Sequence, residues 1–147
     1  MFEQKLYASW GDMDFNSHMR NMAFLDKSAD VRMLFFSAHG FPMEEFMRRR
    51  LGPVVMKDEI EYHREIHLLE EIRVTLSLAG LSGDGSRFLM RNEFFRENEK
   101  LAAKVTSAGG WLELSSRRLI APPEELLSAL NLLSQTDDFI ELPSSVA

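Results

Sequence analysis

Residues 10 to 21 read Trp10-Gly11-Asp12-Met13-Asp14-Phe15-Asn16-Ser17-His18-Met19-Arg20-Asn21. Within them, positions 12 to 21 hold two carboxylates (Asp12, Asp14), two carboxamides (Asn16, Asn21) and one imidazole (His18). A carboxylate supplies a base or a nucleophile, and an imidazole gives or takes a proton near neutral pH. A carboxamide donates and accepts hydrogen bonds at once, which suits it to orienting water. The chain contains no cysteine, so thiolate nucleophiles, disulfides and zinc-thiolate sites are excluded. Nucleophilic or acid-base work therefore falls to the acids and histidines.

Each of these residue types also has a plain structural use. An acid at a turn makes local hydrogen bonds, and that is the reading for Asp12. Asn16 and Ser17 suit a helix N-cap, although their appearance beside Asp14 and His18 favours chemistry over capping. His63 and His67 alternate with Glu61 and Glu65. Positions four apart on a strand lie roughly 13 Å from each other at about 3.3 Å per residue, so one ion cannot bridge the two histidines. They read as surface or edge histidines, and neither a metal nor a cofactor is expected. His39 reads as a cation at a helix C-terminus. The nine methionines and eleven phenylalanines read mainly as core packing.

The reactive string sits between two elements that must position it. Residues 2 to 10 alternate as a half-buried strand, with Phe2, Leu6, Ala8 and Trp10 on one side. From Met19 to Ala38 apolar residues recur at helical spacing (Met22, Leu25, Ala29, Met33, Phe36), and Gly40 and Pro42 end the run. Ala23, Phe24, Val31, Leu34 and Phe35 make this helix apolar on more than one side, as a helix wrapped by a sheet would be. A short helix is expected over Met43–Arg50, closed by Gly52-Pro53. Strands follow at Val54–Ile66, Ile72–Leu81, Arg87–Arg96 and Leu101–Leu114, with short turns that point to an antiparallel meander. A last helix starts after Pro122-Pro123, and the polar tail from Ser134 reads as loosely held.

With 147 residues, one domain is expected over residues 1–133, with 134–147 as a tail. Hydrophobic residues at 45% and charged residues at 27% place the chain among soluble globular proteins rather than disordered ones. No segment nears the roughly 20 apolar residues of a membrane-spanning helix, and no basic-then-apolar leader opens the chain, so a cytoplasmic protein without membrane partners is expected. A net charge of -6 opposes nucleic-acid binding. Any anionic ligand must meet a local basic patch, and Arg64, Arg87, Arg91, Arg96, Arg117 and Arg118 are scattered candidates.

The string from Asp12 to Asn21 resembles the D-x-D-x-N-x-H-x-x-N pattern of hotdog-fold thioesterases, especially the 4-hydroxybenzoyl-CoA thioesterase-like and plant acyl-ACP thioesterase groups. Glu61-Tyr62-His63-Arg64-Glu65 is similar to their E-Y-x-R-E strand. Arg117 to Pro122 with Glu124-Glu125-Leu126 is similar to their closing strand-to-helix segment. The resemblance implies an α+β hotdog fold, an antiparallel sheet wrapped around a long central helix. It also implies a homodimer with sheets joined edge to edge, sometimes stacked into a tetramer.

The resemblance further implies a thioester hydrolase acting on acyl-CoA or acyl-ACP. Asp14 would be the nucleophile or general base, while Asn16 orients water or substrate and His18 serves the oxyanion, the leaving sulfur or the water. Glu65 would cooperate with Asp14, and Asn21 would bind substrate or brace the helix start. The first amides of the helix, residues 18 to 21, would polarise the acyl carbonyl. Ser17 replaces a common glycine or glutamine, and Arg20 replaces a frequent asparagine. Arg20 would bind a carboxylate or phosphate of the substrate. Two other readings stand: a hotdog protein that binds acyl-CoA without turnover, and a hotdog hydratase or dehydratase. The H-F-P-G type segment of acyl-ACP dehydratases is absent.

Overall fold

The computed structural model describes residues 1–146. Strand β1 (Phe2–Tyr7) alternates in burial as its sequence does, and then gives way to a single 3-10 turn at Trp10–Asp12. Helix α1 (Asn21–Ala38) is followed by α2 (Met43–Arg49) and by β2 (Leu51–Tyr62), β3 (Glu71–Ser82), β4 (Arg87–Phe95), β5 (Leu101–Glu113) and β6 (Arg118–Ile120). Helix α3 (Glu124–Leu130) and strand β7 (Gln135–Leu142) complete the chain.

The sheet order is β1-β3-β4-β5-β2, with β6 beside β5 and β7 beside β3. The expected meander holds only from β3 to β5. Strand β2 pairs with β5, so the connection from β2 to β3 crosses to the other side of the sheet. The tail expected to be loose instead forms β7, which pairs in parallel with the second half of β3. Strand β1 occupies the first half of that edge and leaves its second half open, and the Ile140, Glu141 and Leu142 backbone fills the gap. Strand β2 begins at Leu51, so Gly52 and Pro53 lie inside a strand rather than closing a helix. Proline is tolerated there because β2 is an edge strand, with no second strand neighbour among the described residues.

The curled sheet packs against α1 as the hotdog arrangement requires. Ala23, Phe24, Ser28, Val31, Phe35 and Phe36 face it and are buried, whereas Met22 and Leu34 on the other side are exposed. Inward residues of β4, Phe88, Met90, Asn92 and Phe94, alternate with outward ones along the strand. The far end of α1 is anchored by aromatic packing of Phe36 and Phe46 on Trp111, whose indole N–H donates to the Gly85 carbonyl at 2.9 Å. Gly109 of β5 lets β2 and the Phe88 ring approach the strand: a Cβ there would lie 2.1 Å from the Val54 carbonyl oxygen and 2.8 Å from the Phe88 ring. Most of the phenylalanines are core. Full burial of one such side chain stabilises the fold by about 1.5–3 kcal/mol, so the sheet and α1 form a firm base for the loop between them.

Candidate active site

The loop from β1 to α1 is folded by its own polar groups. Asp12 Oδ2 accepts from both the amide and the hydroxyl of Ser9, each at 2.8 Å, which closes the 3-10 turn. The same carboxylate pairs with Lys27 Nζ of α1 at 2.9 Å, and the two side chains are only 19% and 12% exposed. Burial alone would push the Asp12 carboxyl up, but the Ser9 and Lys27 donors outweigh it and hold it below its ordinary value. The Asp12 carbonyl also accepts from the Arg20 amide at 2.8 Å. Asp12 is thus scaffold, riveting the loop to the helix.

Between Asp12 and α1 the chain makes a narrow hairpin, with Met13 bridged to Met19. The Asp14 amide donates to the His18 carbonyl at 2.7 Å, and Ser17 at the tip takes φ +66°. Asp14 Oδ1 accepts from the Asn16 amide at 2.8 Å and the His18 amide at 3.0 Å. These bonds, the His18 amide foremost, lower the Asp14 pKa, so this exposed carboxyl is ionised across the neutral range. Oδ2 has no hydrogen-bond donor among the described residues.

The second side of the site comes from the end of β2. The amides of His63 and Arg64 both donate to the Ala102 carbonyl, at 2.7 and 3.0 Å, and there the chain leaves the ladder. Residues 63 to 66 are therefore not strand, contrary to the expected Val54–Ile66, and they turn back toward the hairpin. The Met19 amide donates to the Ile66 carbonyl at 2.9 Å. This places Glu65 Oε2 3.0 Å from His18 Nε2. The rings of His18 and His67 meet edge to face at 6.3 Å. His67 faces His18 instead of pairing with His63, and no metal-holding cluster occurs among the described residues.

A cleft of about 290 Å³ opens over these groups, lined by Asp14, His18, Asn21, Arg64 and Glu65 on its polar side and by Met19, Phe24, Tyr62 and Ile66 on its apolar side. The Phe24 and Tyr62 rings contact edge to face at 5.5 Å. Arg64 Nη1 donates to the Leu101 carbonyl at 3.0 Å.

Of the residues picked from sequence, the fold thus brings Asp14, His18, Asn21 and Glu65 to one cleft. Asn16 takes part through its amide, while its carboxamide does not line the cleft. Arg20 does not line it either: its amide is spent on Asp12, and the residue stands at the N-cap of α1 without a side-chain cap bond. The helix therefore starts at Asn21, not at Met19, and neither Asn16 nor Ser17 caps it. The bridge to Met13 keeps Met19 extended, and the closed hairpin uses the polar atoms that capping would need. The expected oxyanion amides shift accordingly. Those of His18, Met19 and Arg20 are occupied by Asp14, Ile66 and Asp12. The amides of Asn21 and Met22, at the positive end of an 18-residue helix, have no acceptor among the described residues.

Sequence reasoning passed over Lys27 and gave Phe24 and Tyr62 no role at the cleft. A lysine in the first turns of an apolar helix was a signal for a buried partner, since Lys is seldom buried unpaired. Phe24 reads from sequence only as helix packing and Tyr62 only as part of the Glu61–Glu65 string, so nothing local pairs the two rings.

Residues 8–130 match the family model of the thioesterase-like superfamily. A comparison with curated protein sequences gives no significant match. Among solved structures, the chain is similar to the hypothetical protein SAV2348 from Staphylococcus aureus in complex with CoA. The TM-score is 0.82 and the identity 20%, over 99% of this chain and 91% of that one. It is similar to Slr0204, a 1,4-dihydroxy-2-naphthoyl-CoA thioesterase from Synechocystis, at TM-score 0.79 and 15% identity, covering 88% and 95% of the two chains. The gentisyl-coenzyme A thioesterase BH1999 gives TM-score 0.77 and 13% identity over 87% and 98%. With residues 8–130 matched by its model, the chain belongs to the thioesterase-like superfamily.

Proposed function

We propose that this protein hydrolyses an acyl-CoA thioester, with Asp14 as nucleophile and the His18–Glu65 pair as the base for water. The observation that carries this is the Asp14 carboxylate: ionised, fixed through one oxygen by two amides, with no donor to its other oxygen among the described residues, and lining one cleft with His18 and Asn21. A carboxylate whose pKa is lowered is a weak base toward water, but its ionised form is the one that attacks a carbonyl carbon. Asp14 Oδ2 would bond to that carbon, and the carbonyl oxygen would turn to the Asn21 and Met22 amides as it becomes negative. The C–S bond then breaks and the thiolate leaves, to be protonated from solvent. Water attacks the resulting anhydride, His18 takes its proton, and Asp14 is released with the free acid. Glu65 at 3.0 Å orients the imidazole.

Coenzyme A is supported as the thiol carrier because Arg64 lines the cleft and makes no ion pair with a carboxylate among the described residues. A guanidinium so placed suits a phosphate. The assembly we propose is a homodimer joined through the free edge of β2. That edge exposes unpaired backbone groups and a 55% exposed Met56, and the cleft lies beside its end.

Thiol release from a panel of acyl-CoAs, followed with a chromogenic thiol reagent, tests the activity. Asp14→Asn is expected to lose it, and His18→Ala is expected to accumulate acyl-enzyme visible by mass. Tight binding with no thiol release would favour the non-catalytic reading, and a change in enoyl-CoA absorbance without thiol would favour the hydratase.

A further inference from the structure

Asp14 lines two clefts, not one. The second, of about 350 Å³, lies between Trp10, Met13, Ser17 and Leu68. We propose that this second cleft is the subsite for an aliphatic acyl chain, so that the two arms of a thioester leave Asp14 in different directions; this rests on the thioester-hydrolase reading above. A reacting thioester carbon carries a thiol arm and an acyl arm, and a carboxylate that attacks it must stand where both have room.

Charge assigns the arms. The cleft beside His18 carries the carboxylates Asp14 and Glu65 but also the Arg64 guanidinium and the His63 and Asn21 hydrogen-bonding groups, so of the two clefts it alone offers a cation to the anionic coenzyme A arm. The second cleft has Asp14 as its sole charged lining residue and no cation, so it disfavours phosphate and favours hydrocarbon. Its rim continues the apolar surface: Trp10 is 81% exposed, Leu69 67% and Leu68 41%, and Phe15 is fully exposed beside Asp14. Large apolar side chains clustered in water next to a reactive group mark a binding surface. The Trp10 backbone is held by the 3-10 turn that Ser9, Asp12 and Lys27 close, so the segment that carries the indole is in place before a ligand arrives.

The test uses thioether analogues, S-alkyl-CoAs from butyl to dodecyl, which carry no acyl carbonyl to hydrolyse. Trp10 is exposed and the only other tryptophan, Trp111, is fully buried, so acrylamide quenching reports Trp10. Affinity is expected to rise about threefold per added methylene, with Trp10 becoming protected as the chain lengthens, whereas free CoA leaves it quenchable. Trp10→Ala and, independently, Leu68→Ser are expected to flatten the chain-length dependence. Both positions are exposed enough for the fold to survive. A chain-length dependence unchanged in both variants, or Trp10 quenched equally at every length, would place the acyl chain elsewhere and overturn the proposal. Trp10 already protected in the free protein, and released on dilution to monomer, would show the face covered by a second copy and overturn it too. Thiol release from acyl-CoA that persists while these signals fail would leave the hydrolase reading intact. The signals without thiol release would remove that reading instead.

Discussion

The turns around Asp14 and Asp84 use the same local device but fill their carboxylate oxygens differently. In each, the carboxylate accepts the amide two residues on, from Asn16 in one and from Ser86 in the other. At Asp84, which lies between β3 and β4, every oxygen is then occupied. Oδ1 also accepts the hydroxyls of Ser82 and Ser86, and Oδ2 accepts Ser144 at 2.5 Å, fastening the segment after β7 to the sheet. At Asp14, Oδ1 is held by two amides and Oδ2 accepts no hydrogen bond from the described residues. Both acids are held below the ordinary carboxylate range, Asp84 by the Ser144 hydroxyl first and Asp14 by the His18 amide first. A lowered pKa therefore does not distinguish a reactive acid from a structural one. On the proposed function, the unfilled oxygen of Asp14 does.

Exchanging carboxylate for carboxamide at the two sites separates them. Asp14→Asn keeps an oxygen for the Asn16 and His18 amides but removes the charge, and kcat is expected to fall by about 100-fold or more with the melting temperature nearly unchanged. A loss of under threefold would make Asp14 another structural turn. His18→Ala and Glu65→Gln rank next, at about 100-fold and about 10-fold in kcat, because Glu65 acts through the imidazole. Steady-state rates on one acyl-CoA settle that order, and equal losses would deny it.

Asp84→Ala should leave kcat alone and lower stability by about 1–3 kcal/mol, since it strips partners from the buried hydroxyls of Ser82 and Ser86. Thermal melting should show a drop of several degrees. Lys27→Met leaves Asp12 partly buried without its cation, and a several-fold loss in kcat is expected as the hairpin loosens. Lys27→Arg should restore most of it, whereas a purely global destabilisation would lower the melting temperature and spare kcat well below it.

The smallest effect concerns acid. A carboxyl with a folded-state pKa below its unfolded value stabilises the protein fully above about pH 4 and loses that contribution as pH falls toward the folded value. Asp84→Asn should therefore flatten the decline of stability below about pH 4, measured by denaturant unfolding at several pH values. An unaltered slope would show that the Ser144 clasp does not survive in solution.

Much of this site was legible in the sequence because its partners are close along the chain. Asp14 bonds to the amides of Asn16 and His18, and turns of that span are written in residue type. The long helix was legible for the same reason, its apolar spacing being local. Its first turn was not, because the Met13–Met19 bridge and the Arg20 bond to Asp12 outcompete the capping that Asn16 and Ser17 suggested. Strand β7 was missed because its burial depends on an edge of β3 that exists only once the sheet has formed.

By itself the sequence determined which groups are available, Asp14, His18 and Glu65, and the order of most helices and strands, since composition and periodicity act through neighbours. Tertiary structure alone decided that Glu65 meets His18, that Lys27 neutralises Asp12, and that the amides of 18 to 20 are consumed while those of 21 and 22 remain. Those outcomes depend on distant segments competing for the same donors and acceptors. Such a competition is settled only when the sheet closes on α1.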